Sequence, residues 1–281
     1  MADTEPAAKT SRAGRNLPAA IAVGVTLGFG LIAILLWAPR VWIPVVAVAI
    51  AVATHEVVRR LREGGYVIPI WPLLAGGQAM IWLTWPFGTT GALGAFGGTV
   101  LVCFVWRLLA HGLNSAPQNY LRDVSVTVFL AAWIPLFGAF GVLLIYPEDG
   151  WARVFTMLLV VVCSDVGGYT AGVLFGKHPM VPAISPKKSW EGFTGSLVFA
   201  TIAAVLSVIF LLHHPWWIGI PLGIFLVITG TLGDLVESQV KRDLGIKDMG
   251  TLLPGHGGIM DRIDSILPSA AATWIVLTLL T

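Results

Sequence analysis

Apolar runs long enough to cross a bilayer recur along most of the chain. A helix needs about 20 such residues to span the roughly 30 Å hydrocarbon core, and a soluble domain has no use for a series of them. Charged residues make up only 11% of the sequence, and its mean hydropathy is +0.84, whereas a soluble domain has about 25% charged residues. The sequence therefore predicts an all-α integral membrane protein, built as a polytopic helical bundle.

The apolar runs predict about nine transmembrane helices. Gly and Pro interrupt the third and fourth. A polar segment with Lys9, Arg12 and Arg15 precedes the first, and residues 1–16 are expected to form a disordered cytoplasmic tail. The predicted spans are residues 17–37, 41–58, 67–85, 92–110, 124–145, 152–175, 194–213, 216–236 and 265–281.

Lys and Arg concentrate in the loops that follow the even-numbered spans, with Arg40 and Arg153 as exceptions. Short loops rich in Lys and Arg stay in the cytoplasm. The N-terminus is therefore predicted to be cytoplasmic, and the loops after the sixth and eighth spans would share one cytoplasmic face. The formal net charge of +2 is too small to indicate a nucleic-acid partner.

Carboxylates gather at the ends of the later spans. Asp234 and Glu237 end the eighth, and Asp261 and Asp264 begin the ninth; residues three apart share one face of a helix. Asp165 lies inside the sixth span, where a lone carboxylate costs about 2.5–3.5 kcal/mol. It is expected to face a wet cavity, a cation or a paired base, although packing against a neighbouring helix is an alternative. Asp264 could instead cap the last helix.

This acidic cluster suits Mg²⁺, which takes one or two carboxylates and leaves its other positions to water and substrate phosphates. Gly255, Gly257 and Gly258 form a flexible turn whose N–H groups can line an anion. His256, between them, either orients a phosphate or a water, or only fills the turn. The combination favours phosphoryl-group transfer. Donors for phosphate oxygens lie in the same two loops: Lys187, Lys188, Lys241, Arg242, Lys247 and Arg262.

The segment SQVKRDLGIKDMGTLLPGHGGIMDRID, from Ser238 to Asp264, resembles the signature of the phosphatidate cytidylyltransferases, or CDP-diacylglycerol synthases. SDVGGY at 164–169 is similar to their D-x-G-x-Y element, with Gly168 where Ala is usual. ISPKKSWEG at 184–192 is similar to their S-P-K-K-[TS]-x-E-G element. The resemblance covers roughly residues 150–281.

The resemblance implies a polytopic enzyme of phospholipid biosynthesis that makes CDP-diacylglycerol and pyrophosphate from CTP and phosphatidic acid. It also implies Mg²⁺ or Mn²⁺, with a monovalent cation such as K⁺ nearby. Carried over by position, the metal ligands would be Asp165, Asp234 and Asp261. The catalytic residues would be Asp234, Asp261, Lys241, His256 and Asp264, and the substrate-binding residues would be Ser185, Lys187, Lys188, Glu191, Lys241, Arg242, Lys247, Gly257, Gly258 and Arg262.

The implied reaction is an in-line attack by the phosphatidate phosphate on the α-phosphorus of CTP. Residues 17–150 would then form N-terminal transmembrane helices, and 151–281 a C-terminal catalytic region with two cytoplasmic loops. The protein would reside in a bacterial plasma membrane with its active site facing the cytoplasm, and a homodimer is compatible with this arrangement.

Two other functions are weighed against this one. The first is a CTP-dependent transferase acting on another lipid, similar to a polyprenol kinase, against which the specific signature argues. The second is an ion or phosphate transporter that uses Asp165 and Asp234 as coupling sites. A transporter would carry charged residues towards both faces of the membrane, whereas here they cluster towards one.

Overall fold

A computed structural model describes residues 17–110, 112–252 and 257–281, with the backbone alone described for 17–25 and 27. The chain is helical almost throughout. The helices are α1 (Leu17–Trp37), α2 (Trp42–Glu63), α3 (Ile70–Trp82), α4 (Thr84–Leu108), α5 (Tyr120–Ala131), α6 (Phe137–Leu143), α7 (Gly150–Phe175), α8 (Trp190–Phe210), α9 (Gly219–Asp243), α10 (Met260–Ile263) and α11 (Ile266–Leu280). A π-helical turn, Ala132–Leu136, joins α5 to α6 around Pro135.

Seven helical stretches in the described part of the chain are long and apolar enough to cross a membrane. They confirm the predicted multi-pass helical architecture, while the count of about nine spans stays a prediction. The predicted span 67–85 coincides with α3, which has only 13 residues and is therefore about 20 Å long, less than the hydrocarbon core. Leu83 alone separates α3 from α4, and α4 itself bends at Gly88, whose φ is 55°.

One element departs from an all-α fold. The loop between α7 and α8 contains two short antiparallel strands, β1 (Pro179–Val181) and β2 (Ser185–Ser189). The amide of Ile184 donates to the carbonyl of Val181 at 3.1 Å, which closes the turn between them. The sequence pattern does not predict this hairpin, because Pro and Lys in β2 interrupt the alternation of apolar and polar residues that is typical of a strand.

Close helix contacts place α7, α8 and α9 side by side. A Cβ added to Gly195 on α8 would lie 2.4 Å from the Cβ of Ala171 on α7, and one added to Gly167 would lie 2.7 Å from the Cβ of Phe199. On α9, a Cβ at Gly223 would meet the Cα of Thr201 at 2.5 Å. Small residues at such crossings let helix backbones approach closely in lipid, and this brings the polar ends of three helices together.

The N-terminal half is held by a buried ion pair as well as by apolar contacts. Arg107 of α4 donates through Nε and a terminal nitrogen to Asp123 of α5, at 3.0 and 2.9 Å, and the Asp123 side chain is 0% exposed. Arg122 pairs with the other oxygen of Asp123 at 3.0 Å and stacks on the ring of Tyr66. Helix α2 packs against α3 and α6, and it also touches α10 in the C-terminal half.

Candidate active site

A cavity of about 400 Å³ opens between α7, β2, α8, α9 and the start of the last helix. Its apolar lining includes Val161, Phe193 and Leu226, and its polar lining comes from several elements. Five predicted site residues therefore share one cavity although they come from distant parts of the sequence: Asp165, Lys187, Lys188, Asp234 and Asp264. The polar and charged residues that line it are Ser164, Asp165, Tyr169, Lys187, Lys188, Ser189, Ser196, Thr231, Asp234, Asp264 and Ser265.

Three carboxylates converge beside this cavity. Oxygen atoms of Asp234, Glu237 and Asp264 all lie within 4.8 Å of one another. Asp234 and Glu237 are one turn apart on α9, and Asp264 lies between α10 and α11. Gly233 allows the approach, since a Cβ there would lie 2.3 Å from the carbonyl oxygen of Asp264.

Glu237 is the most enclosed of the three carboxylates. Its side chain is 2% exposed, and its Oε1 has no hydrogen-bond partner, although Oε2 pairs with Lys241. A buried carboxylate oxygen without a partner is costly. Glu237 and its two neighbouring carboxylates form an all-oxygen donor set that suits Mg²⁺ or Mn²⁺, and a cation would relieve the cost of the orphaned oxygen.

Lys188 brings a positive charge to the same cluster. It reaches from β2 to Asp234, with 2.5 Å between Nζ and Oδ2, and both side chains are partly open to the cavity, at 25% and 39% exposed. Asp165 faces this cavity from α7, within electrostatic range of both residues. The lone carboxylate inside the sixth predicted span thus has the polar cavity that the sequence requires.

Lys241 and Asp261 form a second, more enclosed contact. Lys241 Nζ lies 2.5 Å from Glu237 Oε2 and 2.6 Å from Asp261 Oδ1. Asp261 also accepts the amides of Met249 and Gly258, at 3.0 and 2.7 Å. In the structure, Lys241 therefore pairs with two carboxylates. Asp261 is not one of the three carboxylates whose oxygens lie within 4.8 Å of one another.

The glycine turn is only partly described. Gly257 has a φ of 86°, a left-handed conformation that favours glycine, and a Cβ there would meet Asp261 Oδ2 at 2.8 Å. The Gly258 amide points to that same carboxylate. Gly255 and His256 lie outside the described residues, so the prediction for His256 stays a prediction.

Glu191 lies at the base of the hairpin. Its carboxylate bonds His178 twice, with 2.6 Å to the ring Nδ1 and 3.2 Å to the backbone amide. Ser185 begins β2 opposite Val181. Glu191 thus ties the two ends of the hairpin together, and this holds Lys187 and Lys188 at the cavity.

The remaining predicted cations lie next to the hairpin or in the signature segment. Arg242 at the end of α9 donates through Nε to the carbonyl of Ile184 at the hairpin turn. Lys247, beyond α9, and Arg262, on α10, are exposed.

Two carboxylates stand out in the structure without an assigned role from the sequence. Glu237 belongs to the acidic group seen in the sequence, and the structure places it among the donor oxygens. Glu56 on α2 belongs to no motif in the sequence, although it is buried and accepts the amide of Met260 at 3.0 Å. The available signal was an isolated acidic residue at the end of an apolar run, which needs a partner in a membrane protein.

Comparison with known proteins extends the likeness beyond the C-terminal half. The family model described as the Cytidylyltransferase family matches residues 18–280. A protein of Mycobacterium bovis named phosphatidate cytidylyltransferase is 63% identical over 99% of this chain and 94% of its own length. Its namesake in Mycobacterium leprae is 63% identical over 96% of this chain and 90% of its own. Another, from Staphylococcus epidermidis, is 42% identical over 59% of this chain and 64% of its own. The chain belongs to the cytidylyltransferase family.

Proposed function

We propose that this protein transfers the cytidylyl group of CTP to phosphatidic acid, giving CDP-diacylglycerol and pyrophosphate in phospholipid biosynthesis. The observation that carries the proposal is one cavity in which carboxylates and lysines meet apolar helix faces. The two proposed substrates fit such a cavity, because CTP and phosphatidic acid both carry phosphates and phosphatidic acid also carries apolar acyl chains. Relatives that match nearly the whole chain are named phosphatidate cytidylyltransferase, which supports the same reaction.

A divalent cation, Mg²⁺ or Mn²⁺, is assigned to Asp234, Glu237 and Asp264, whose oxygens lie within 4.8 Å of one another. When bound there, the ion would neutralise charge on the phosphates of CTP. Asp165 faces the same cavity and could serve a further ligand position or a monovalent cation such as K⁺. Asp261, predicted as a ligand, is given a different task here: its oxygens hold Lys241 and the backbone amides around it.

The two lysines of β2 are assigned to the phosphates of CTP, because both line the cavity from the hairpin. Lys188 is paired with Asp234 in the described structure, so nucleotide binding would replace that carboxylate with a phosphate oxygen as its partner. Charge-assisted hydrogen bonds of this kind are shorter and stronger than neutral ones.

No strong general base is required of the protein. The second pKa of a phosphate monoester is about 6, so the attacking phosphate is largely ionised near neutral pH. One of its oxygens forms a bond to the α-phosphorus of CTP, and the bond to the bridging oxygen of pyrophosphate breaks. The protein's contribution is positioning and charge neutralisation. The apolar side chains of Val161, Phe193 and Leu226 would contact the acyl chains of the lipid.

The cavity is further assigned to the cytoplasmic side of a bacterial plasma membrane. The positive-inside pattern of the loops supports this orientation, together with a cytoplasmic N-terminus and about nine spans. A cytoplasmic cavity would be open to CTP, while the lipid would enter sideways from the bilayer. The proposal also includes a homodimer in the membrane.

The experiment is a comparison of two radiolabelled forms of CTP. The purified full-length chain is incubated in mixed micelles with phosphatidic acid, Mg²⁺ and CTP that carries ³²P at either the α or the γ position. The proposal expects α-label in the lipid product and γ-label in pyrophosphate. An exposed control variant, Arg59→Met, should behave as the wild type does.

Two further arms with the same labelled CTP test the rival functions: one adds a polyprenol to the micelles, and the other uses the protein in proteoliposomes. Transfer of γ-label to a polyprenol, with no α-label in lipid, would show the kinase-like reaction instead. Phosphate or cation flux into proteoliposomes with no transfer of either label would show a transporter. Either result would overturn cytidylyl transfer.

A further inference from the structure

Two side chains of α2 reach the signature segment from the N-terminal half. Glu56 accepts the backbone amide of Met260 at 3.0 Å, and Arg60 donates through Nε to the carbonyl of Met249 at 3.0 Å. Glu56 and Arg60 are four residues apart and therefore lie on the same face of the helix. One face of α2 thus contacts the signature segment on both sides of residues 250–258.

The Glu56 carboxylate occupies the space between two glycines. A Cβ added to Gly250 would lie 2.2 Å from Glu56 Oε1, and one added to Gly258 would lie 2.5 Å from Oε2. The same added atom on Gly250 would lie 2.9 Å from the Cα of Gly258, so the two backbones are close together. We call this contact of Gly250, Gly258 and Glu56 the loop neck.

Asp261 holds the same loop neck from the side of the cavity. Its Oδ2 accepts the amides of Gly258 at 2.7 Å and Gly250 at 3.4 Å, and its Oδ1 accepts Lys241 Nζ at 2.6 Å. Lys241 in turn reaches Glu237 at 2.5 Å. The contacts therefore run from α2 through the loop neck to the candidate metal ligands.

A role in stability alone would explain why the buried Glu56 carboxylate accepts hydrogen bonds. It would not explain why Glu56 contacts the signature segment next to Asp261. Glu56 is 8% exposed and bonds the residue immediately before Asp261. Displacement of this contact would shift Asp261 and the lysine that it holds, and a misplacement of about 1 Å can cost about a hundredfold in rate.

We propose that Glu56 is a positioning residue: it fixes the loop neck so that Asp261 and Lys241 hold Glu237 at the cavity. The role rests on the cytidylyl transfer assigned to that cavity. It gives the N-terminal helices a part in catalysis beyond scaffolding. Glu56 itself acts through the backbone and touches no substrate.

The test compares Glu56→Ala and Glu56→Gln in the full-length protein with Asp123→Asn. The control also alters a buried carboxylate of the N-terminal half, one that joins α4 to α5. Steady-state transfer of α-label from CTP gives kcat and KM per folded protein. Hydrogen exchange at the amides of Gly258 and Met260 reports the loop neck without reference to activity.

The proposal expects kcat of Glu56→Ala to fall by about a hundredfold, with a smaller change in KM for CTP. Glu56→Gln, which keeps one oxygen acceptor and the side-chain volume, should recover part of the rate. Exchange at Gly258 and Met260 should quicken at least tenfold in Glu56→Ala and stay at the wild-type rate in Asp123→Asn.

Two results would overturn it. One is a kcat for Glu56→Ala equal to that of Asp123→Asn after correction for folded protein. The other is unchanged exchange at the loop neck, which would show that Glu56 does not hold it. If the wild type transfers no label, the proposed function fails, whereas the exchange measurement still separates a held loop neck from a free one.

Discussion

Replacement of Lys241 by Met should destabilise the protein even without substrate. The change keeps an unbranched side chain that is one atom shorter, and it removes a charge that lies 2.5 Å from Glu237 and 2.6 Å from Asp261. Those two side chains are 2% and 4% exposed, so solvent cannot replace the lost partner. Removal of one member of a buried ion pair typically costs about 3–5 kcal/mol.

Most of that loss should arise at Glu237. Asp261 keeps the amides of Met249 and Gly258 as donors, whereas Glu237 Oε1 already has no partner in the described structure. Addition of Glu237→Gln to Lys241→Met should therefore recover about 2 kcal/mol, because a buried carboxylate becomes a neutral amide.

The measurement is equilibrium unfolding in mixed micelles, followed by tryptophan fluorescence, with EDTA present and nucleotide absent. The matched control is Arg59→Met, which breaks an ion pair with Glu63 whose side chains are 69% and 48% exposed, and it should cost at most about 1 kcal/mol. The reasoning is refuted if Lys241→Met unfolds within 1 kcal/mol of this control, or if Glu237→Gln adds to the loss.

Three further predictions concern the cavity. Glu237→Gln should weaken Mn²⁺ binding at least tenfold, as measured by electron paramagnetic resonance titration of the nucleotide-free protein; unchanged affinity would remove Glu237 from the proposed ligand set. Lys188→Met should raise KM for CTP by about 10–100-fold, since a hydrogen bond to a charged group contributes about 1.5–3 kcal/mol; an unchanged KM in the α-label assay would refute its phosphate contact. Gly168→Ala should destabilise the protein by about 1–3 kcal/mol, because the added Cβ would lie 2.4 Å from Ser196 Oγ; Ser196→Ala should restore thermal stability, and failure to do so would show that this contact is not the cause.

Much of the site was predictable because its residues are unusual in a membrane protein. Asp165 inside an apolar run required a polar cavity, and the structure provides one lined also by Asp234 and Lys188. The spacing of Asp234 and Glu237 placed both on one face of a helix, and their oxygens do lie together with one of Asp264. In each case a local pattern and the energy cost of burial were sufficient.

The roles of individual charged residues were less accessible, because they depend on contacts between distant parts of the chain. Glu237 and Lys241 are four residues apart on α9, so the spacing alone indicates that they can pair. The contact of Lys241 with Asp261 is not indicated by any spacing, because it forms only when the C-terminal segment packs beside α9. Glu191 lies in a motif typical of substrate binding, yet in the structure its carboxylate bonds His178.

Short elements were also beyond the sequence patterns. Strands β1 and β2 contain Pro and Lys where an apolar alternation would be sought, and their pairing depends on the closure of one turn. The sequence predicts a span of 67–85 where helix α3 has only 13 residues. The prediction is too long because the residues that flank the helix are also apolar. Apolarity sets where a chain can be buried, and backbone geometry sets where a helix ends.

The most direct test of the account is the transfer of α-³²P from CTP to phosphatidic acid by Asp234→Asn, measured in a single turnover with Mg²⁺. Asp149→Asn is the control. Asp149 lies just before α7, pairs with Arg153 in the first turn of that helix, and does not line the cavity. The account predicts a loss of at least about a hundredfold for Asp234→Asn and a rate close to that of the wild type for the control. Near-normal transfer by folded Asp234→Asn would contradict the claim that this carboxylate cluster is the site of the reaction.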